Sequence, residues 1–224
     1  MNFNYTMLAL DTTLYSCSVS LLYKGTIYSL FELCSNTHEK KILDMITKIL
    51  NQVNINLCNL DYITCTIGPG SFTGIRISIG ISQTISILYR IPVIGFSTLQ
   101  ILSEQSWKIN RIKRVLIIIQ ISKKQIFWAK YLKNKIGLWV GGYTEKLFNN
   151  INIVKKKIMK CSGIWSTIGC NINIKNFKKS IKLCHTHITT PHSKYIILYA
   201  IQYLKYHKYS DITQIYPRYL HKIH

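Results

Sequence analysis

Acidic residues are scarce in this sequence. It contains 8 Asp and Glu against 29 Lys and Arg, a formal net charge of +21 at pH 7. The scarcity lies in one half: residues 1–108 hold six acidic and seven basic side chains, and residues 109–224 hold two acidic and 22 basic ones. Such asymmetry indicates separate domains, and so basic a balance suggests an acidic partner such as nucleic acid. Drift in an AT-rich genome would also raise lysine with no binding role, and composition alone leaves both explanations open.

Other absences exclude several classes of protein. The seven cysteines are odd in number and contain no C-x-x-C pair, which argues against a disulfide framework and a zinc ribbon. No apolar run reaches the roughly 18 residues that span a bilayer. The opening residues, MNFNYTMLALD, lack the basic and apolar regions of a signal peptide. Since 48% of the residues are hydrophobic and 17% are charged, the chain is globular. We therefore expect a reduced, cytoplasmic protein with no membrane partner.

The hydrophobic pattern predicts a mixed α/β protein. Period-2 and β-branched runs indicate strands, and apolar residues at helical spacing indicate helices. In the first half, predicted strands cover residues 5–10, 16–23, 26–33, 61–67 and 91–96, and predicted helices cover residues 37–53 and 97–107. The second half begins in the same way, with β-rich runs over residues 114–121, 125–132 and 137–144.

This repeat predicts two domains, each with a mixed sheet and flanking helices. The first covers residues 1–108. The second, smaller and strongly basic, covers residues 109–224, and its C-terminal segment can return to the first. That segment contains a predicted helix over residues 191–207 with Pro191 in its first turn.

The segment GPGSFTGIRISIG, residues 68–80, admits two interpretations. Gly68, Pro69 and Gly70 precede a helix, where phosphates can bind to unpaired N–H groups. However, the segment has no lysine and matches neither G-x-x-x-x-G-K-[ST] nor G-x-G-x-x-G. We therefore favour a tight turn in which glycine permits positive φ.

Small residues recur every four positions after this turn and form one stripe of a helix. The stripe can pack closely on the protein's own sheet or contact a second chain. The preceding helix offers an apolar face that would pack beside it. On the second interpretation, the predicted interface comprises His38, Ile42, Met45, Ile46, Ile49, Gly74, Ile75, Ser78, Ile79, Ser82 and Ser86.

A third candidate site is Asp11-Thr12-Thr13, at the end of the first predicted strand. A carboxylate followed by hydroxyls could hold a metal-bound phosphate. Alternatively, these hydroxyls bond only to the backbone.

Several stretches together resemble the TsaB family, also called YeaZ. They are LALDTTLYSCSVSLL, FELCSNTHEKKIL, GPGSFTGIRISIGISQTIS and GFSTL, and the similarity continues more thinly in the second half. The resemblance implies two ribonuclease-H-like domains of the actin and Hsp70 superfamily. It also implies a non-catalytic paralogue of TsaD, the subunit that transfers the threonylcarbamoyl group to the adenosine beside the tRNA anticodon.

The partners that the resemblance implies are TsaD and TsaE, a small ATPase, with tRNA reached through their complex. A homodimer is a further expectation. ATP or ADP and any metal would belong to TsaD and TsaE, and this chain would require no cofactor. Asp11, Thr12 and Thr13 match the family's vestigial phosphate motif, and the superfamily's second phosphate motif is not recognisable.

No catalytic or metal-binding residue is predicted. No two histidines stand four apart, as the metal-binding H-x-x-x-H pair of TsaD requires. Where family members commonly carry Asp-Ala-Arg, this chain has Gln120-Ile121-Ser122. Two alternative functions remain open: an ATP-dependent phosphotransferase of the sugar-kinase and acetate-kinase type, and a basic RNA-binding module.

Overall fold

The computed structural model describes residues 5–34, 38–169, 180–207 and 214–220. Its contacts divide the chain into two compact units. Unit 1 comprises Met1–Ile101 and Thr190–Tyr219, and unit 2 comprises Leu102–Thr189 and Leu220–His224. The described helices are α1 (His38–Gln52), α2 (Phe72–Tyr89), α3 (Thr98–Asn110), α4 (Ile151–Met159) and α5 (Ser193–Leu204).

Unit 1 contains a five-stranded sheet of order β3-β2-β1-β4-β5. The first three strands are antiparallel, and β4 and β5 run parallel to β1. Lys24 and Gly25 join β2 to β3 with φ of 47° and 78°, the positive values that a tight hairpin turn requires. The strands are β1 (Met7–Asp11), β2 (Ser16–Tyr23), β3 (Thr26–Leu33), β4 (Tyr62–Thr66) and β5 (Val93–Phe96).

Helices cover both faces of this sheet. Alternate strand residues such as Leu8 and Ile63 share one core cluster with Ile42 of α1 and Ile75 of α2. The other face receives α5, whose first residue, Ser193, donates its N–H to Ser18 Oγ at 3.0 Å. The sheet therefore holds α1 and α2 on one face and α5 on the other.

Unit 2 repeats the plan with a sheet of order β11-β10-β6-β7-β8, and β9 also pairs with β7. On one face, α4 places Val154 and Ile158 against Leu116 and Trp128. The strands are β6 (Arg114–Gln120), β7 (Ile126–Lys133), β8 (Trp139–Val140), β9 (Lys146–Phe148), β10 (Gly163–Gly169) and β11 (Ile181–His185). The predicted fold class, two mixed sheets with flanking helices, is confirmed.

The structure changes three local predictions. The run over residues 137–144 contains only the two-residue strand β8 and then a short 3₁₀-helix, because Thr144 Oγ1 accepts the Lys130 N–H at 2.8 Å. Pro191 precedes α5, and His192 caps the helix instead. The division between units falls within α3, after Ile101, whereas the predicted boundary follows residue 108.

Candidate functional site

Asp11, Thr12 and Thr13 lie fully buried at the C-terminal end of β1. Asp11 Oδ1 accepts hydrogen bonds from Thr13 Oγ1 at 2.7 Å and from Thr66 Oγ1 at 2.5 Å. Its other oxygen, Oδ2, is buried and has no hydrogen-bond partner among the described residues. Burial raises the pKa of Asp11 from 3.8 to about 6, although the hydrogen bonds from Thr66 and Thr13 lower it.

The turn of residues 68–70 and the start of α2 cover this strand end. A Cβ on Gly70 would lie 2.1 Å from the carbonyl oxygen of Thr13. A Cβ on Gly74 would lie 1.9 Å from the carbonyl oxygen of Thr12. Because any larger residue would collide there, the two glycines allow a backbone approach that closes the motif.

The closed motif does not fit a phosphate group. Thr12 Oγ1 donates to the carbonyl oxygen of Gly74 at 2.6 Å, and Thr13 Oγ1 donates to Asp11. The Ser71 N–H, at the helix N-terminus, donates to the carbonyl oxygen of Thr13 at 2.6 Å. These three donors, which could otherwise contact a phosphate, are therefore engaged with acceptors of the chain itself.

The small-residue stripe of α2 packs on its own sheet, so the predicted partner groove on this stripe is wrong. The Ser78 hydroxyl donates to the carbonyl oxygen of Thr66 at 3.1 Å. The stripe and the isoleucines beside it are all buried in unit 1: Gly74, Ile75, Ser78, Ile79, Ser82 and Ser86. Close approach of helix and sheet needs small side chains, which explains the spacing.

The apolar face predicted on α1 is likewise part of the core. At most 5% of any of its four side chains is exposed: Ile42, Met45, Ile46 and Ile49. The side chain of His38 lies outside what the structure describes. These four residues contact the sheet, and only Ile46 also borders a surface groove.

That groove, of about 630 Å³, runs between α1 and α2. Its exposed apolar side chains include Leu43 and Leu88, which are 55% and 69% exposed. The lining residues are Glu39, Leu43, Ile46, Thr47, Leu57, Arg76, Ile77, Gly80, Ile81, Thr84, Ile85 and Leu88. An apolar groove between two helices is suited to receive helices of a second protein.

Sequence reasoning missed most residues of this groove although a signal existed. Ile77, Ile81, Thr84 and Leu88 recur at helical spacing and form a second stripe on α2. A second apolar stripe on a helix indicates a second apolar contact surface besides the one that packs on the sheet. The sequence pattern predicts a partner surface only for the small-residue stripe, on one of its two interpretations, and no prediction covers the second stripe.

Neither a cluster of metal-ligating side chains nor a membrane-spanning helix occurs among the described residues. Within them, no group of three or more His, Cys, Asp and Glu could hold a metal ion. No helix in the same residues combines the length and apolar character that crossing a membrane requires.

Comparison with solved structures shows the fold. The chain is similar to YeaZ from Pseudomonas aeruginosa, with a TM-score of 0.80 over 96% of this chain and 100% of that one, at 24% sequence identity. This similarity agrees with the two mixed sheets described above.

Sequence comparison shows the family. A family model described as TsaD, tRNA N6-adenosine threonylcarbamoyltransferase, matches residues 30–222. A protein of Buchnera aphidicola subsp. Schizaphis graminum, named tRNA threonylcarbamoyladenosine biosynthesis protein TsaB, is 40% identical over 85% of this chain and 90% of its own length. The Escherichia coli protein of the same name is 37% identical over 73% of this chain and 70% of its own. The chain belongs to the TsaB family, also called YeaZ.

Proposed function

We propose that this chain acts in the biosynthesis of threonylcarbamoyladenosine in tRNA as a non-catalytic subunit that binds TsaD. The names of its relatives support the pathway. The observation that carries the binding role is the exposed apolar groove between α1 and α2. TsaE joins the two proteins, and the complex modifies the adenosine next to the anticodon in tRNAs that read codons starting with A.

The closed phosphate motif supports a role without nucleotide chemistry in this chain. Thr12 and Thr13 donate to acceptors of the chain, and Gly70 and Gly74 pack against their carbonyl groups. An ATP-dependent phosphotransferase would need donors free to contact phosphate at this strand end. We therefore assign ATP or ADP and any metal to TsaD and TsaE.

The groove has the properties of a protein interface. Leu43 and Leu88 expose apolar surface, and Arg76 at one end lies 3.7 Å from the Phe72 ring centroid. Aromatic and arginine side chains are enriched where proteins bind one another. A TsaD paralogue of this fold would present a comparable helix pair, so that four helices pack together.

Co-purification with the TsaD of the same organism tests the proposal. The double variant Leu43→Glu, Leu88→Glu places two charges in the groove without changing the core. It should keep the helical circular dichroism of the wild type, weaken TsaD binding at least tenfold and lower the threonylcarbamoyladenosine content of tRNA in cells.

Ile87→Glu provides a matched control, because Ile87 is 67% exposed on the same helix but does not line the groove. It should bind TsaD as the wild type does. The proposal fails if the groove variant binds TsaD normally, or if the control loses binding equally. A groove variant that abolishes only self-association of this chain would instead assign the groove to a homodimer.

A further inference from the structure

Unit 2 keeps its carboxylates away from the surface. Residues 102–189 contain 18 Lys and Arg but only two acidic residues, Glu104 and Glu145. Glu104 is 3% exposed and accepts hydrogen bonds from Lys133 Nζ and, at 2.8 Å, from Trp139 Nε1. Glu145 is 7% exposed and accepts the Tyr131 hydroxyl at 2.5 Å. The described surface of unit 2 therefore carries cations and no carboxylate.

Compositional drift does not account for this distribution. AT-rich drift would raise lysine throughout the chain, but residues 1–101 hold six basic and five acidic side chains. There, a carboxylate remains at the surface and forms an ion pair, Glu32 with Lys41 at 2.5 Å. In unit 2, by contrast, both acidic side chains, Glu104 and Glu145, are buried and accept hydrogen bonds from other buried side chains.

Two of the cations are held against a buried tryptophan. The Arg114 guanidinium and Lys130 Nζ lie 5.9 Å and 5.1 Å from the centroid of the Trp165 ring. Arg114 also donates to the carbonyl oxygen of Ser162, just beyond α4, at 3.3 Å. These contacts hold both charges on the side of the sheet that α4 covers.

Further cations continue this surface along α4. Lys157 Nζ lies 5.4 Å from the Phe148 ring centroid, and Lys146 stands two residues before Phe148 in β9, on the same face of the sheet. Lys156 and Lys160 are exposed and four residues apart. We call the whole group the basic face: Arg114, Lys130, Lys146, Lys156, Lys157 and Lys160.

We propose that the basic face binds the phosphate backbone of RNA independently of base sequence, so that this chain itself contacts tRNA. The inference rests on the proposed function, which supplies tRNA as the polyanion. The cations are spread over α4, its C-cap residue Lys160 and three strands, and they do not converge on one pocket. That spacing suits an extended backbone rather than a single small phosphate compound.

Fluorescence anisotropy of the full chain with a labelled, unmodified tRNA transcript tests the inference across a salt series. The variant Lys146→Glu, Lys156→Glu, Lys160→Glu should bind at least tenfold more weakly at low salt. The slope of its plot of log K against log salt concentration should be smaller in magnitude by about 2 to 3. Three contacts are lost, and each phosphate contact contributes roughly 0.9 to the slope on duplex nucleic acid.

A second triple variant in unit 1, Lys24→Glu, Lys40→Glu, Lys48→Glu, changes the net charge by the same amount. It should retain RNA affinity within about threefold, because none of these three lysines belongs to the basic face. Equal losses in both variants would overturn the inference, since only net charge would then matter.

Two competitors distinguish RNA from other polyanions. If poly-glutamate or vesicles of phosphatidylglycerol bind as tightly as tRNA at equal charge, the assignment to RNA is wrong. Co-purification with TsaD is measured on the same variants. Unchanged RNA affinity in the basic-face variant with normal TsaD binding would overturn this inference and leave the proposed function standing.

Discussion

A single buried carboxylate, Asp11, couples the stability of unit 1 to pH. Its pKa is raised to about 6 by burial, so the folded state favours the protonated form more than the unfolded chain does. A raised carboxyl pKa means that the contribution of Asp11 to stability is greatest below pH 3.8 and declines as the pH rises to about 6. The difference between the pKa of Asp11 in the unfolded and the folded state corresponds to a loss of about 3 kcal/mol of unfolding free energy at neutral pH.

Asp11→Asn should therefore stabilise the protein at pH 7 and lose that advantage near pH 4. Asparagine can accept the hydrogen bonds from Thr13 and Thr66 and carries no charge. Urea denaturation of wild type and variant at several pH values gives the difference in unfolding free energy. A difference that stays constant between pH 4 and pH 7 would contradict the raised pKa.

At the scale of one element, α2 has two sides with opposite steric requirements: one packs on the sheet and the other lines the groove. Towards the sheet, Gly74 brings the helix so close to β1 that a Cβ would lie 1.9 Å from Thr12 O. Towards the groove, Gly80 has no atom within 4 Å of where a Cβ would stand. The first glycine is required by packing, and the second is not.

The same substitution at these two positions should consequently have opposite effects. Gly74→Ala forces α2 away from β1 and should destabilise the protein by about 3 kcal/mol. Gly80→Ala, the control, should stabilise it by about 1 kcal/mol, because alanine favours the helix. Thermal and urea unfolding of each variant and of the wild type measure the two changes in unfolding free energy. Equal effects would mean that α2 does not approach β1 as described.

At the scale of the whole molecule, the net charge of +21 opposes compaction. We expect salt to stabilise the protein by screening this repulsion, with Tm rising about 2–4 °C for each kcal/mol gained. Differential scanning fluorimetry across a sodium chloride series checks this. The Lys146→Glu, Lys156→Glu, Lys160→Glu variant should respond less, and a wild-type Tm that falls with salt would contradict the prediction.

Most elements of unit 1 were predictable because their signals are local. The predicted strands over residues 16–23 and 26–33 have the bounds of β2 and β3. In unit 2, α4, β10 and β11 were not predicted. The fully buried side chains of α4 are Val154 and Ile158, set among lysines, and so few apolar residues give no clear period.

The sequence by itself determined the strands and helices of unit 1, the turn at residues 68–70 and the division between a neutral and a basic half. Each depends on neighbouring residues or on composition. Only the tertiary structure decided which side of α2 faces the sheet, and hence which residues are free to bind a partner. It also decided that the phosphate motif is closed, because the bond from Thr12 to Gly74 joins positions 62 residues apart. A local pattern contains no information about a contact over that distance.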